Sequence, residues 1–464
     1  MRSAVLLAGL LLAGCATVAP PTVVEQPLPP AFFTPPEAAG LAPADWWARR
    51  LDDPGLRRLV DAALAGAPDL GAATARVAAA RAALRASEAE RLPLLNGSAS
   101  ATFTRTAPGE FGLPAGLPIE TERLAWRAGV EGSWDADLFG RLAADRRAAA
   151  ARLDAAGFEA EAVRLTLVTD VLRNAVAARA AAAREAVAAR NVAAAEELVS
   201  VTRSRARAGL APGLDGVRAE ALLAETAATI APLRGERGAR IAALATLTGL
   251  APAEIAGLVE APPARLAFGA PAAGIPSDLM LRRPDIAAAL ARLAAADADR
   301  ASAAAARFPR LSITGAVGLV AGTLGGLFSG DAVSAAARPA LAGPLLDFGR
   351  NRAREEGAVA RADEAAALYR ATVLRAFGEV EANLAAIDAA RRRISALGRL
   401  VGTAEEAAAI SRIQYRRGLA DVLGSLDAER AALRAREQLI AAEAELADAE
   451  IALFRAIGGD LPRR

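Results

Sequence analysis

The chain has no histidine, no lysine and a single cysteine, and aromatic residues make up only 4% of it. Those absences remove disulfides, Cys/His zinc sites, Ser-His-Asp triads and Cys-His nucleophiles. No Gly-rich phosphate loop follows a strand, and no Walker or dinucleotide fingerprint is present. An enzyme would need a carboxylate pair that the sequence does not display, and the residues ask for no cofactor or metal. Every basic residue is arginine, and 55 basic residues face 53 acidic ones. The arginines lie scattered beside acids along helices, the pattern of solvated faces and not of a nucleic-acid surface. Also missing is a run of ~18–20 apolar residues able to cross a bilayer as a permanent helix. The 54% hydrophobic content is largely alanine. The remaining route through a membrane is β-strands.

What is present begins with two long stretches, Gly140 to Ala208 and Gly349 to Arg417. Neither contains proline, and apolar residues recur three and four apart in both. Each predicts a helix of roughly 67 residues, on the order of 100 Å at ~1.5 Å per residue. A helix that long must pack lengthwise, as a coiled coil or a tube wall.

The two stretches are copies. Phe139-Gly140-Arg141 aligns with Phe348-Gly349-Arg350, Asn174 with Asn383 and Arg184 with Arg393. Glu196-Glu197 aligns with Glu405-Glu406, and Gly209-Leu210 with Gly418-Leu419. Repeats of about 210 residues are too long for a solenoid unit and read as a duplicated half-protein. The first repeat spans 44–274 and the second 275–460, joined by a Pro/Gly/Ala-rich linker from Ala251 to Pro276 that could hold a small girdle element.

Each copy also predicts two strands. In the first, Leu95, Gly97, Ala99, Ala101 and Phe103 alternate with Asn96, Ser98, Ser100 and Thr102, giving a strand over ~93–104. Leu124, Trp126, Ala128, Val130 and Trp134 alternate with Arg127, Glu131 and Ser133, giving ~123–137. In the second, strands are expected over ~309–320 and, interrupted by Pro339 and Pro344, ~338–347. These lengths suit an outer-membrane barrel strand, though a soluble sheet edge alternates similarly. Trp126 and Trp134 read as interface aromatics, with core packing as the rival. The first long helix turns back at Gly209-Leu210-Ala211-Pro212-Gly213. The helix beyond it reaches Leu250 with Pro232, Gly235 and Gly238 inside. The second turns at Gly418-Leu419-Ala420-Asp421 and continues from Val422 to Ile457.

The N-terminus, residues 1–14, joins Arg2 to an apolar run from Ala4 to Ala13, a secretory pattern. Leu12-Ala13-Gly14-Cys15 then resembles a bacterial lipoprotein signal. The resemblance makes Cys15 the acylated first residue, followed by a Pro-rich leader over 15–43. It implies an outer-membrane destination, because Ala16 and not aspartate follows the cysteine. The alternative is an ordinary signal with an incidental cysteine.

Four strands cannot close a membrane barrel, whose smallest closed forms have about eight. Open edges in lipid leave unpaired backbone groups at several kcal/mol each, so spanning strands require oligomerisation. Three chains would supply about twelve strands, enough for an opening. Trp46-Trp47, Asp53-Pro54, Leu59-Val60, Pro68-Asp69-Leu70 and the run from Ile275 through Arg282-Arg283-Pro284-Asp285-Ile286 carry a specific resemblance. Together with Leu345-Leu346-Asp347-Phe348-Gly349-Arg350 they are similar to the TolC superfamily of outer membrane factors, closest to the NodT/OprM/CusC-type efflux lipoproteins. Departures are Ala67, where asparagine is frequent, and Gly213, where a hydroxyl residue is commoner.

The resemblance implies a mainly α fold with a small transmembrane β part. It implies a homotrimer whose twelve-stranded β-barrel continues into a twelve-helix periplasmic α-barrel. Its partners would be a periplasmic adaptor (membrane fusion) protein, an inner-membrane pump of the RND type and outer-membrane lipid, with no nucleic acid. The chain would be the exit duct of a tripartite efflux system. The alternatives are a duct for type I protein secretion and a periplasmic helical scaffold without a pore. Arg207, Gly209, Leu210 and Asp215 in one copy, and Arg416, Gly418, Leu419 and Asp421 in the other, would form the periplasmic aperture and meet the adaptor. Plain turn chemistry accounts for the glycines equally well. Asp215 and Asp421, with Asp427 a turn or two further on, could gather into an acidic ring favouring cations. Arg282-Arg283-Pro284-Asp285 reads as a helix start, not as a site.

Overall fold

The structure is a computed structural model that describes residues 27–36, 53–105, 122–260 and 269–459. Cys15, Trp46-Trp47 and most of the leader lie outside those residues. The described chain divides into two compact units, one holding Val77–Ala156 and Ala289–Tyr369 and the other Gly157–Ala288, Arg370–Arg464 and the segment before Val77.

The first unit is built on one antiparallel sheet, in the order β1 (Leu94–Arg105), β2 (Glu122–Asp135), β3 (Arg310–Ala321), β4 (Val333–Ala342). Register keeps like with like. Ala99, Ala128 and Leu319 form a row, as do Gly97, Val130, Val317 and Ala335. The other face carries rows such as Ser100–Arg127 and Ser133–Thr314–Arg338. The period of two therefore sorts side chains into an apolar face and a polar face across all four strands. The fourth strand begins and ends five residues before the 338–347 read from the sequence. Two one-turn helices, Gly325–Phe328 and Gly330–Ala332, bring the chain back early with Leu327 and Ala332 buried. Pro339 is accommodated because β4 pairs only with β3 in this sheet. Trp134 is 39% exposed, and its indole N–H donates to the Arg91 carbonyl at 2.9 Å. That anchors the end of β2 on the chain leaving α2 (Pro68–Ala89). Phe139 and Phe308 stack 4.7 Å apart beside the same strand ends.

Both long helices are continuous: α3 spans Arg141–Arg207 and α8 spans Arg350–Arg416. Each opens on the same device. Asp137 accepts from the Leu142 and Ala143 amides at 2.9 and 2.8 Å, and Asp347 accepts from Gly349 and Asn351 at 3.0 Å each. Carboxylates at a helix start satisfy otherwise orphaned donors and complement the dipole.

In the second unit the helices form antiparallel hairpins. After α3 come α4 (Gly213–Ala228), α5 (Ile230–Thr248) and α6 (Pro252–Val259). The single helix expected up to Leu250 is two, broken at Thr229. Pro232 cannot donate to the carbonyl four residues back, and at the third position of a new helix that donor is not needed. The span expected as linker contains α6, which packs against α1 (Pro54–Gly66) and α5. Then follow α7 (Pro284–Ala305), α8 and α9 (Val422–Ala456).

The duplication reappears in side-chain contacts. Arg184 meets Glu236 at 3.4 Å, and its counterpart Arg393 meets Glu445 at 2.6 Å. Asn174 donates to the Asp170 carbonyl at 2.8 Å, as Asn383 does to Glu379 at 2.7 Å. Gly249 and Gly458 both have positive φ, +72° and +90°. Gly458 cannot be replaced, because a Cβ there would lie 2.8 Å from the Arg282 carbonyl carbon. The leader segment is seated on α8: Phe32 stacks on Phe377 at 5.8 Å, and Glu381 accepts the Phe33 amide at 2.6 Å.

Arg283 is a hub that local pattern did not reveal. It is 7% exposed. Its guanidinium grips Asp285 through two bonds of 2.9 and 2.6 Å, Glu379 on α8 at 2.7 Å and the Ala456 carbonyl on α9 at 2.8 Å. Burial alone would raise the Asp285 carboxyl, but the hydrogen bonds and charge of Arg283 hold it below its ordinary value. Its contribution is therefore present above the unfolded value of about 3.9 and lost as pH falls through the lower folded value. Arg283→Met is expected to cost about 2 kcal/mol, below the ~3–5 of a fully buried pair because both carboxylates keep solvent access. Thermal unfolding of the purified protein against pH checks this, and the variant should lose less stability than the parent on acidification.

Candidate functional site at the helical turns

Each long helix ends in a glycine in the left-handed conformation, Gly209 at φ +70° and Gly418 at φ +75°. The following amide reaches back in both, Leu210 to the Arg205 carbonyl and Leu419 to the Gln414 carbonyl, each 2.9 Å. Gly209 and Gly418 also donate to Ala206 and Tyr415, each 3.0 Å. This doubled bond satisfies the last carbonyls and needs glycine at the positive φ. Turn chemistry thus suffices for both glycines. Leu210 and Leu419 extend outward, 69% and 74% exposed. Asp421 accepts from the Gly424 amide at 3.0 Å and caps α9. Asp215 lies in the first turn of α4, near enough to act electrostatically on Tyr415.

Ion pairs close each hairpin in the same way. Arg203 bonds Glu220 at 2.7 Å, and the equivalent Arg412 bonds Glu429. Two more ion pairs join one hairpin to the other, Arg416 to Glu197 and Arg430 to Glu225 at 2.7 Å, and Arg205 donates a hydrogen bond to the Tyr415 carbonyl. The Arg205 guanidinium also lies over the Tyr415 ring, 4.8 Å from its centroid. Tyr415 is 2% exposed in a small core with Leu198, Val199, Leu222, Val422 and Leu426. Burial pushes its phenol up, Arg205 pulls it down and Asp215 pushes it up again. Its hydroxyl and that of Ser425 have no protein partner among the described residues, and both residues line a cavity of about 20 Å³. Of the residues singled out from the sequence, the structure thus joins Arg416 to the opposite hairpin and uses Asp421 as a cap. Among the described residues Arg207 reaches Ser204, at 3.4 Å. Tyr415, Arg205 and Glu197 complete the link. Their signal in the sequence was faint, one of two tyrosines in an alanine-rich helix. Among the described residues no acidic or cysteine group could hold a metal.

The family model for outer membrane efflux proteins matches residues 59–250 and 275–459, once per repeat. The chain belongs to that family. Outer membrane protein OprJ of Pseudomonas aeruginosa is 34% identical over 89% of this chain and 86% of its own length. The solvent efflux pump outer membrane protein SrpC of Pseudomonas putida is 29% identical over 99% of this chain and 98% of its own. Among solved structures, the outer-membrane channel OprN superposes with a TM-score of 0.86 at 32% identity, covering 94% of this chain and 98% of OprN. The outer membrane efflux protein described here therefore has the TolC-like channel fold, mainly helical with a four-stranded antiparallel sheet. It is an outer-membrane efflux channel that spans that membrane and extends into the periplasm.

Proposed function

We propose that three copies of the chain close one duct, receiving small molecules from a periplasmic adaptor and an RND-type inner-membrane pump and releasing them outside. One observation carries this. The sheet has an apolar face four strands wide, and among the described residues the outer edges of β1 and β4 have no partner. Exposed Leu95, Phe103, Val130, Val317 and Leu341 line that face. In lipid such edges must be paired, and a neighbouring copy supplies the complement. A scaffold without a pore has no use for this face. Relatives named for efflux pumps favour small-molecule efflux over protein secretion. The chain itself does no chemistry; transport energy enters at the pump. Cys15 carries covalent lipid that aids sorting, since a completed barrel is already embedded.

The aperture is formed by the helical turns, with Arg207, Gly209, Leu210 and Asp215 beside Arg416, Gly418, Leu419 and Asp421, and the two exposed leucines meet the adaptor. The Arg416–Glu197 pair is half exposed, so it holds the turns together by only about 0.2–1 kcal/mol. Single-channel recording in planar bilayers tests both statements. The parent conducts rarely. Arg416→Ala and Glu197→Ala each raise open probability, by up to about fivefold for each of the three pairs released, and the double variant no more than either, because the same interaction is lost in all three variants. Absence of any conductance from purified trimer would remove the duct reading.

A further inference from the structure

The polar face of the sheet is unevenly charged. Alternation and register place Arg123 and Arg127 of β2, Arg310 of β3 and Arg338 of β4 on it, together with the acids Glu131 and Asp135 of β2. Asp135 is met by Arg141 at 3.6 Å. None of the four arginines has an ion pair with another described residue, nor does Glu131. Every one of these side chains except that of Asp135 is exposed. The remaining balance is four arginines against one glutamate, a net of +3 per chain. Arg105 and Glu122 neutralise each other at 3.5 Å at the strand ends, on the opposite face.

Midway along the strands the face is low, although Val320 stands beside Arg127. Ser98, Gly129, Gly318 and Ser334 form one row across all four strands. At its centre a Cβ on Gly129 would lie 2.8 Å from the Gly318 Cα, and one on Gly318 would lie 2.7 Å from the Ala128 carbonyl oxygen. The two central strands approach too closely there for any side chain, so only the serines of the outer strands project at that level. Solutes would pass between arginines that are neither shielded by bulk nor paired.

We propose that the barrel lumen is an anion-favouring conduit, set mainly by Arg127 and Arg338, and that the cargo class it suits is organic anions bearing carboxylate or sulfonate groups. This rests on the duct reading, which turns the polar face inward. Three copies bring the arginines around one aqueous space walled by low-dielectric protein and lipid, where like charges add to a potential of several kT. The Debye length of ≈ 8 Å at physiological salt leaves solute near the wall within reach of that potential.

A reporter cysteine reads this potential at the barrel itself, independent of the turns at the far ends of the long helices. The chain's only cysteine is Cys15, so an unsubstituted parent supplies the blank. Ser100→Cys places a thiol opposite Arg127 in the register, and Val130→Cys places one on the apolar face. Intact cells are treated with water-soluble methanethiosulfonates, one carrying a sulfonate and one a trimethylammonium, and labelling is scored in the trimer band. After normalisation to a free thiol, the anionic reagent should react faster at Ser100→Cys by on the order of fivefold. That preference should shrink toward one as salt is raised, and again in Arg127→Gln/Arg338→Gln. A parent ratio at or below one, or a ratio indifferent to both salt and the two substitutions, overturns the proposal. If Val130→Cys reacts while Ser100→Cys resists both reagents, the faces are reversed and the duct reading falls with it.

Discussion

Val317→Arg is expected to abolish the trimer. Val317 is 62% exposed at the middle of β3, flanked in register by Val130 and Ala335 on the apolar face. An arginine at the bilayer midplane costs a barrel about 2–4 kcal/mol. The proposed threefold assembly would repeat the substitution, so the loss is roughly 6–12 kcal/mol per barrel, comparable to the whole stability of many domains. The neighbouring residue supplies the control. Ala316 lies opposite Glu131 on the polar face, where arginine meets water and a carboxylate, and Ala316→Arg should assemble normally. Migration of unboiled outer-membrane protein on a denaturing gel separates the outcomes. A trimer from Val317→Arg, or its loss from Ala316→Arg, would mean the faces have been assigned the wrong way round.

The second large effect belongs to Asp53. Its carboxylate caps α1 by accepting from the Gly55 and Leu56 amides at 2.8 and 3.1 Å. It also meets Arg179 of α3 at 2.6 Å, where the arginine side chain is 5% and the aspartate 16% exposed. Burial alone would raise the Asp53 carboxyl, but the Arg179 hydrogen bond, the two amides and the arginine's charge hold it below its ordinary value. Asp53→Ala strands a buried guanidinium, which costs about 3–5 kcal/mol, and removes the cap, which costs ~1 more. Asp53→Asn keeps the cap and loses the charge, and should fall between. Because the folded carboxyl is depressed, the parent's advantage is present above about 3.9 and disappears as pH falls through the folded value. Calorimetry of the solubilised protein at neutral and acid pH checks size and sign together. Replacing both residues by apolar ones should recover much of the loss, since the remaining partner is no longer stranded.

These two cases also separate what can be read locally from what cannot. The alternation around Val130 and Val317 is visible in single strands, because a pleated backbone sends neighbours to opposite faces whatever else the chain does. The proline-free alanine-rich stretches announced α3 and α8 to within a residue at each end, since 3.6-residue periodicity and breakers act over a few residues. The return strand was placed five residues late, and Pro339 was read as interrupting it although it lies inside β4. Proline excludes only the middle of a sheet, and edge position is a property of the sheet. The break at Thr229 followed from Pro232, but only packing against α1 and α6 shows that α5 begins there as an independent helix.

The turn residues were found through their glycines, and what links the turns was not. Arg416 was singled out for position alone, while its partner Glu197 lies on the other long helix. Tyr415 has no local signature, yet it carries Arg205 over its ring and fills the small core of both hairpins.

The long helices, the duplication and the two faces of the strands were legible in residue order alone, because each follows from periodicity and breakers. Only the tertiary structure decided the Arg283 and Arg179 hubs, the pairing across the turns and the surplus of unpaired arginine on one sheet face. Those depend on which residues, far apart in the chain, folding brings within the few ångströms over which hydrogen bonds and ion pairs act.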